Sequence, residues 1–374
     1  MRISLKYLEL GNEYYINKKD YEAVYPDPVK KSDPIAAVLY GRLATQWIQA
    51  IKSKYPYVKI AVVGAANSNG TIRKAEWLSG LFNPSYNSAK VGGDGRPSLV
   101  GADAVTLHVY PGPDLPQGSV IDGMTAEEVF AQAYKQWNEI KLNDLPLIPA
   151  NMPVWFTEYN LHNSRNVPAM GTWAHGLFVA TFSLLLMEDQ RVQMETHHEL
   201  VGNAGYGDLF YTTDGFAHTD GGGGWHGPTP PTKLWGASAM ADTMNMLGLA
   251  SATADRAERL VFQGAPALSD ARSYAAYPAL CGWSFLRDAD HRAVILNLYH
   301  LPLTVDVRKI MSRDAYAHSS YKQISGDPGT YVTGGLDASP TKLTEMQGSM
   351  VGRSVLRLPP FSVTVILPND AQTQ

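Results

Sequence analysis

Two glutamates stand in matching settings. Glu13 closes the run "LELGNE" (8–13), and Glu158 closes "VWFTE" (154–158). Each ends a dense apolar stretch and each has an amide neighbour. A lone acid at a strand end is often only a solvated loop residue. A pair on different strands, at the same end of a β/α barrel, is placed where such barrels carry their chemistry. Two carboxylates there suit cleavage of a glycosidic bond. One protonates the leaving oxygen; the other attacks the anomeric carbon or activates water.

Other residues invite a chemical reading. "LHVYPG" (107–112) carries His108 and Tyr110 between the two glutamates. "ETHHE" (195–199) carries His197 and His198, which resemble metal ligands at first sight. Successive strand residues point to opposite faces, so the two do not converge easily on one ion, and no HExxH spacing is present. No metal and no cofactor is expected. One of the two histidines is expected to line the site at the end of its strand. Trp225, in the Gly-rich "TDGGGGWHGP" (219–228), has the shape to stack on a sugar ring or to anchor a loop. Tyr14 and Tyr15, just past Glu13, form a subsite wall or cover the rim.

Short apolar runs alternate with longer helical patterns through residues 1–247. Strand candidates are "KYLELGN", "VKIAVVGAA" (58–66), "DAVTLHVYPG" (103–112), "MPVWFTEYNL" (152–161) and "RVQMETHHELV" (191–201). Helical patterns cover 36–55, 125–141 with Thr125 as N-cap, 172–188 and the stretch after Pro230-Pro231. That rhythm implies parallel strands with helices outside. From 248 to 374 the pattern changes to short strands separated by turns, which reads as an antiparallel β-sandwich. The expected architecture is a partial (β/α)8 TIM-type barrel over 1–247 and a β-sandwich over 248–374.

The chain has 374 residues, 45% hydrophobic and 18% charged, as in an ordinary globular protein with a sizeable core. A formal net charge of −4 argues against nucleic acid as a partner, which would need a basic surface. No apolar run is long enough to span a bilayer; "GLFVATFSLLLM" (176–187) falls short. Cys281 is the single cysteine, so no internal disulfide and no cysteine-based zinc site can form. Met1 leads directly into a strand-like run without the pattern of a signal peptide.

Taken in order, these motifs resemble clan A glycoside hydrolases, and among them the α-L-arabinofuranosidase-like and glucuronidase-like members. "ELGNE" (9–13) is similar to the fourth-strand signature, "LHVYPG" to the sixth and "WFTEYN" (155–160) to the seventh. "LPPFSVTVIL" (358–367) resembles the closing strand of the accompanying sandwich. The resemblance implies a retaining hydrolase acting by double displacement on a plant or algal polysaccharide or oligosaccharide. Glu13 would be the acid/base, Glu158 the nucleophile, and Asn12 a hydrogen-bond partner of the sugar 2-hydroxyl. Tyr110 would hold Glu158 ionised, and His108 would face the sugar. Export to the periplasm or medium is also what the resemblance implies.

Set against that pattern, "YLELGNEYY" (7–15) is strand four of eight. The reading therefore expects an open edge at this strand, an uncovered inner face and a tendency to associate. A missing N-terminal segment or a second copy would complete the barrel. The rival readings are a carbohydrate-binding remnant without turnover, and a half-barrel that needs a partner chain.

Overall fold

The computed structural model describes residues 5–15, 33–66, 76–111, 115, 119–161, 169–200, 209–212, 235–269, 275–311, 315, 317–332 and 343–369. The chain divides into two compact units. Unit 1 comprises residues 1–110, 136–159 and 189–198; unit 2 comprises 111–135, 160–188 and 199–374.

Unit 1 is built on five parallel strands in sequential order: β1 (Tyr7–Leu10), β2 (Lys59–Val63), β3 (Ala104–Val109), β4 (Val154–Tyr159) and β5 (Val192–His197). All five match strands read from the sequence. Between β1 and β2 lies helix α1 (Asp33–Lys54), which buries Ala37, Val38, Tyr40, Ala44 and Ile48. Tyr40 is the stitch at the C-terminal ends of the first two strands. Its hydroxyl donates to Leu10 O at 2.7 Å and accepts from Val63 N at 2.8 Å. The short helix α2 (Trp77–Phe82) adds a second tie, Trp77 Nε1 to Val63 O at 2.9 Å.

The inner face of this sheet is partly closed by its own side chains. Ala61 and Ala104 are small, and Trp155 fills the room beside them together with Met194, leaving its indole 4% exposed. Tyr7 meets Trp155 edge-on at 5.5 Å. At this level one large ring occupies the room that two alanines leave. The edge position expected for the first strand is present: among the described residues β1 pairs only with β2.

Helix α3 (Gly123–Glu139) contains the division between the units, at Lys135/Gln136. It starts two residues before the expected cap. Asp122, not Thr125, is the capping residue, its Oδ1 accepting from Thr125 N at 2.9 Å.

Unit 2 holds two further helices, α4 (Trp173–Leu186) and α5 (Ala239–Ser251), and an antiparallel β region. Every residue of α4 is buried, which explains a helix without a polar stripe. It packs tightly on α5: a Cβ at Gly176 would lie 2.5 Å from Ala239 O. Helix α5 is capped by Ser238, whose hydroxyl accepts from Ala241 N.

A six-stranded sheet is ordered β15-β14-β17-β12-β11-β8. Its strands are β8 (Arg256–Arg259), β11 (Leu280–Arg287), β12 (Asp290–Asn297), β14 (Ser319–Ser325), β15 (Thr344–Ser349) and β17 (Ser362–Pro368). A second layer is the pair β13 (Leu303–Asp306) and β16 (Val355–Leu358). Smaller pairs are β9 (Ala267–Ser269) with β10 (Ala276–Pro278), and β6 (Phe210–Thr212) with β7 (Trp235–Ala237). Leu280, Ala293, Ile295 and Ile366 of the large sheet pack with Val305, Leu356 and Leu358 of the small one. On the opposite face Trp283 donates from Nε1 to Leu184 O at 2.8 Å.

Among the described residues six strands escaped the sequence reading: the short β6, β7, β9 and β10, and the longer β14 and β15. β14 is polar along much of its length yet central, because Gln323 Nε2 finds Arg357 O and Thr364 Oγ1 at 2.9 and 3.0 Å. β15 is an exposed polar edge. Farther along, Tyr331 forms an isolated bridge with Thr172.

Candidate active site

The C-terminal ends of β1, β3 and β4 bring four ionisable groups together in unit 1. β1 ends at Leu10, and the chain turns through Gly11 at φ 104°, a conformation that favours glycine. A Cβ at Gly11 would also strike the Tyr14 ring. Glu13 follows at φ 43°, a left-handed conformation uncommon for glutamate, and of the kind that collects at functional sites.

On the other side, β4 carries a bulge. Leu107 pairs with Phe156 and His108 pairs with Glu158, so Thr157 is the extra residue. A bulge re-aims the side chains that follow it. Here it sets Thr157 and Glu158 against the same imidazole.

His108 is the hub. It is 2% exposed, and both ring nitrogens are engaged. Nδ1 lies 3.1 Å from Glu13 Oε1 and 3.4 Å from Glu158 Oε2. Nε2 lies 3.0 Å from Thr157 Oγ1 and 3.7 Å from Glu9 Oε1. Burial by itself disfavours the charged ring. The hydrogen bonds of Glu13 and Glu9 and the charge of Glu158 outweigh it, and the His108 pKa rises to about 9. At neutral pH the ring is an imidazolium among three carboxylates.

Each carboxylate has a further partner. Tyr110 donates to Glu158 Oε2 at 2.5 Å. Tyr15 donates to Glu13 Oε1 at 2.9 Å. Thr106 donates to Glu9 Oε1 at 2.7 Å. Burial and then the Glu13 charge push the Tyr15 hydroxyl far above the usual phenol range, so it stays a donor. One oxygen of Glu13, one of Glu158 and a nitrogen of His108 fall within 4.8 Å of one another. Such a trio is near enough to chelate an ion. The two acceptors flanking Nδ1, however, favour a proton on that nitrogen.

Of the residues singled out in the sequence, Glu13, Glu158, His108 and Tyr110 converge. His198 stands against Tyr110, rings edge-on at 5.9 Å, whereas His197 stands against the buried Tyr159 at 5.8 Å. The two histidines thus part, as strand alternation requires. Asn12 is exposed, and Trp225 lies outside the described residues. Tyr15 is buried against Trp77, while Tyr14 tilts over Tyr40.

Sequence reading missed Glu9, Thr106 and Thr157. The signal for Glu9 was available: an acid in mid-strand, four residues before Glu13, in an otherwise apolar run. Thr106 stands two residues before His108 and so shares its face. Thr157 carried no signal, since its role depends on a bulge.

No protein-family model matches the sequence, and no curated protein matches it. Solved structures do. A GH51 arabinofuranosidase from Xanthomonas axonopodis pv. citri superimposes with a TM-score of 0.60 at 13% identity, covering 97% of this chain and 66% of its own. A GH51 α-L-arabinofuranosidase from Thermotoga petrophila RKU-1 gives 0.55 at 12%, covering 96% and 66%. The family 51 α-L-arabinofuranosidase AbfB from Bifidobacterium longum gives 0.59 at 12%, covering 88% and 63%. The chain therefore has the fold of these clan A proteins over most of its length and spans just under two thirds of theirs. The five parallel strands are a partial TIM barrel, accompanied by a β domain. Among the described residues no helix is long and apolar enough to cross a membrane.

Proposed function

We propose that this chain is a retaining glycoside hydrolase acting on a plant or algal polysaccharide or its oligosaccharides. Residues 1–247 would form the catalytic partial barrel and 248–374 the sandwich. The observation that carries the reading is the meeting of Glu13 and Glu158 across His108, with oxygens inside 4.8 Å. This bound on one oxygen of each residue is consistent with a retaining pair, whose carboxyl groups stand about 5–5.5 Å apart.

In the first step Glu158 attacks the anomeric carbon while Glu13 protonates the departing oxygen. Tyr110 keeps one Glu158 oxygen occupied and leaves the other to attack. In the second step Glu13, now a carboxylate, takes a proton from water, which breaks the glycosyl-enzyme bond. His108 couples the two. Covalent capture of Glu158 removes one negative charge beside the imidazolium as proton donation creates one on Glu13, and the ring then leans on Glu13 and Glu9. Asn12, exposed beside Glu13, is placed to meet a sugar hydroxyl. His198, beside Tyr110, would line the same cleft. Export would bring the enzyme to its polymer.

The test is hydrolysis of a panel of aryl glycosides, α-L-arabinofuranoside included, by wild type, Glu13→Gln and Glu158→Gln. Proton NMR of the first-formed anomer reports retention. Turnover that survives both substitutions sinks the reading.

One observation favours binding without turnover. The His108 imidazolium and the Tyr15 hydroxyl both donate to Glu13 Oε1. Two donors on one oxygen stabilise the carboxylate, whereas the first step needs the acid. Sugar binding with no wild-type turnover on the panel would select this second reading.

A further inference from the structure

At the β8 edge of unit 2 the two layers of the sandwich leave a cavity of about 550 Å³, within the ordinary range for small-molecule sites. Its position in the fold explains its unusual lining. Along β11 the residues facing the inner layer alternate as Leu280, Gly282 and Ser284. Leu280 belongs to the apolar core, but Ser284 does not continue it. Ser284 is 3% exposed, and its hydroxyl lies 2.5 Å from His291 Nε2. Glu258 stands directly across the ladder from Ser284. A polar cluster thus occupies the place where apolar residues would have closed the layer.

Leu260, Phe262 and Leu303 add apolar lining. The rim carries Gln263, Asp306, Lys309 and Arg259. Formal charges on this lining cancel: Glu258 and Asp306 against Arg259 and Lys309. Three of them are already paired, Glu258 with Arg256 at 3.3 Å, Arg259 with Glu188 at 2.5 Å, and Asp306 with Arg308 at 2.8 Å. No surplus charge selects an ion. Burial holds the His291 pKa below its usual value, so the ring is neutral and offers both a donor and an acceptor.

We propose that this cavity binds a neutral, polyhydroxylated small molecule, a sugar residue or the end of a short oligosaccharide. Phe262 and its aliphatic neighbours meet the C–H face, while Ser284, His291, Glu258 and Gln263 exchange hydrogen bonds with hydroxyls. The site belongs to the sandwich and stands independently of the hydrolase reading.

The experiment follows the His291 imidazole signals of the full chain by NMR during titration. The probes are L-arabinose, D-xylose, D-galactose and cellobiose, then inorganic phosphate, then phenol. A saturable shift is expected with at least one sugar. Gln263→Ala combined with Glu258→Ala removes two surface hydrogen-bonding groups and should weaken that sugar about tenfold or more. Glu158→Gln should leave it unchanged, which separates this cavity from the barrel site. A thermal melt of the double variant matching wild type shows that it folds. The proposal falls if no sugar moves these signals, if the double variant binds as wild type does, or if phosphate or phenol binds more tightly than any sugar.

Discussion

His108 in unit 1 and His291 in unit 2 have the same side chain, a hydroxyl at hydrogen-bonding distance and a carboxylate in their surroundings. Their ionisation nevertheless moves in opposite directions. Burial disfavours the cation at both. At His108 it is overcome by Glu13, Glu9 and Glu158, which reach the ring from β1, its following turn and β4. At His291 the charges of Glu258 and Asp290 work against burial but do not overcome it, and Arg256 acts with burial. The number and closeness of carboxylates, more than burial, decides whether a histidine is a fixed cation or a neutral hydrogen-bonding group. The first suits a site that handles charge; the second suits one that recognises hydroxyls.

The strongest way to break this comparison is to remove a carboxylate from the first site. Glu158→Gln should cut turnover of an activated glycoside by a factor on the order of 10³ or more, since it deletes the attacking atom. The same change should lower the His108 pKa, read by imidazole NMR. An unchanged His108 titration would show that the carboxylates do not set it. Next in size is Trp155→Ala. It empties the space beside Ala61 and Ala104 and should destabilise the chain by about 3–5 kcal/mol in urea unfolding. If the loss is under about 1 kcal/mol, the indole does not close the inner face.

The third effect is on stability against pH. His108 is raised in the folded chain from 6.5 to about 9, so its contribution is fully present below about pH 6.5. That contribution declines as pH rises and is gone above about pH 9, an effect of about 3 kcal/mol at most. Glu9→Gln should shrink this decline and shift it to lower pH. Stability that is flat between pH 6.5 and 9 would contradict the assignment. Smaller still is Asp122→Ala, which removes the cap of α3 and should cost about 1 kcal/mol. Glu258→Gln should change stability by less than about 0.5 kcal/mol, as expected of a surface group. It should move the His291 titration only slightly. A shift there as large as that of His108 in Glu158→Gln would erase the contrast.

Much of this site was legible before any coordinates. Glu13 and Glu158 stood out because strand ends are read from the alternation of apolar runs, and the same alternation separated His197 from His198. The five parallel strands followed from short strand-like runs alternating with longer helical patterns. Three kinds of feature were not legible. β14 was hidden because its polar residues are buried by pairing with Arg357 and Thr364, partners far away in sequence. The cap of α3 was misplaced because Asp122 and Thr125 are both good caps, and only backbone geometry chooses between them. The bulge at Thr157 depends on registers with two neighbouring strands at once.

The sequence by itself determined the element types, their order and the residues able to do acid–base work, because those depend on local pattern and side-chain chemistry. Only the tertiary structure decided that Glu9 joins Glu13 and Glu158 around one imidazole, that Trp155 fills the inner face of the sheet, and that Ser284 and His291 open a polar cavity in the sandwich. Those outcomes depend on register, on bulges and on which groups meet across strands. A strand does not carry that information until its neighbours are in place.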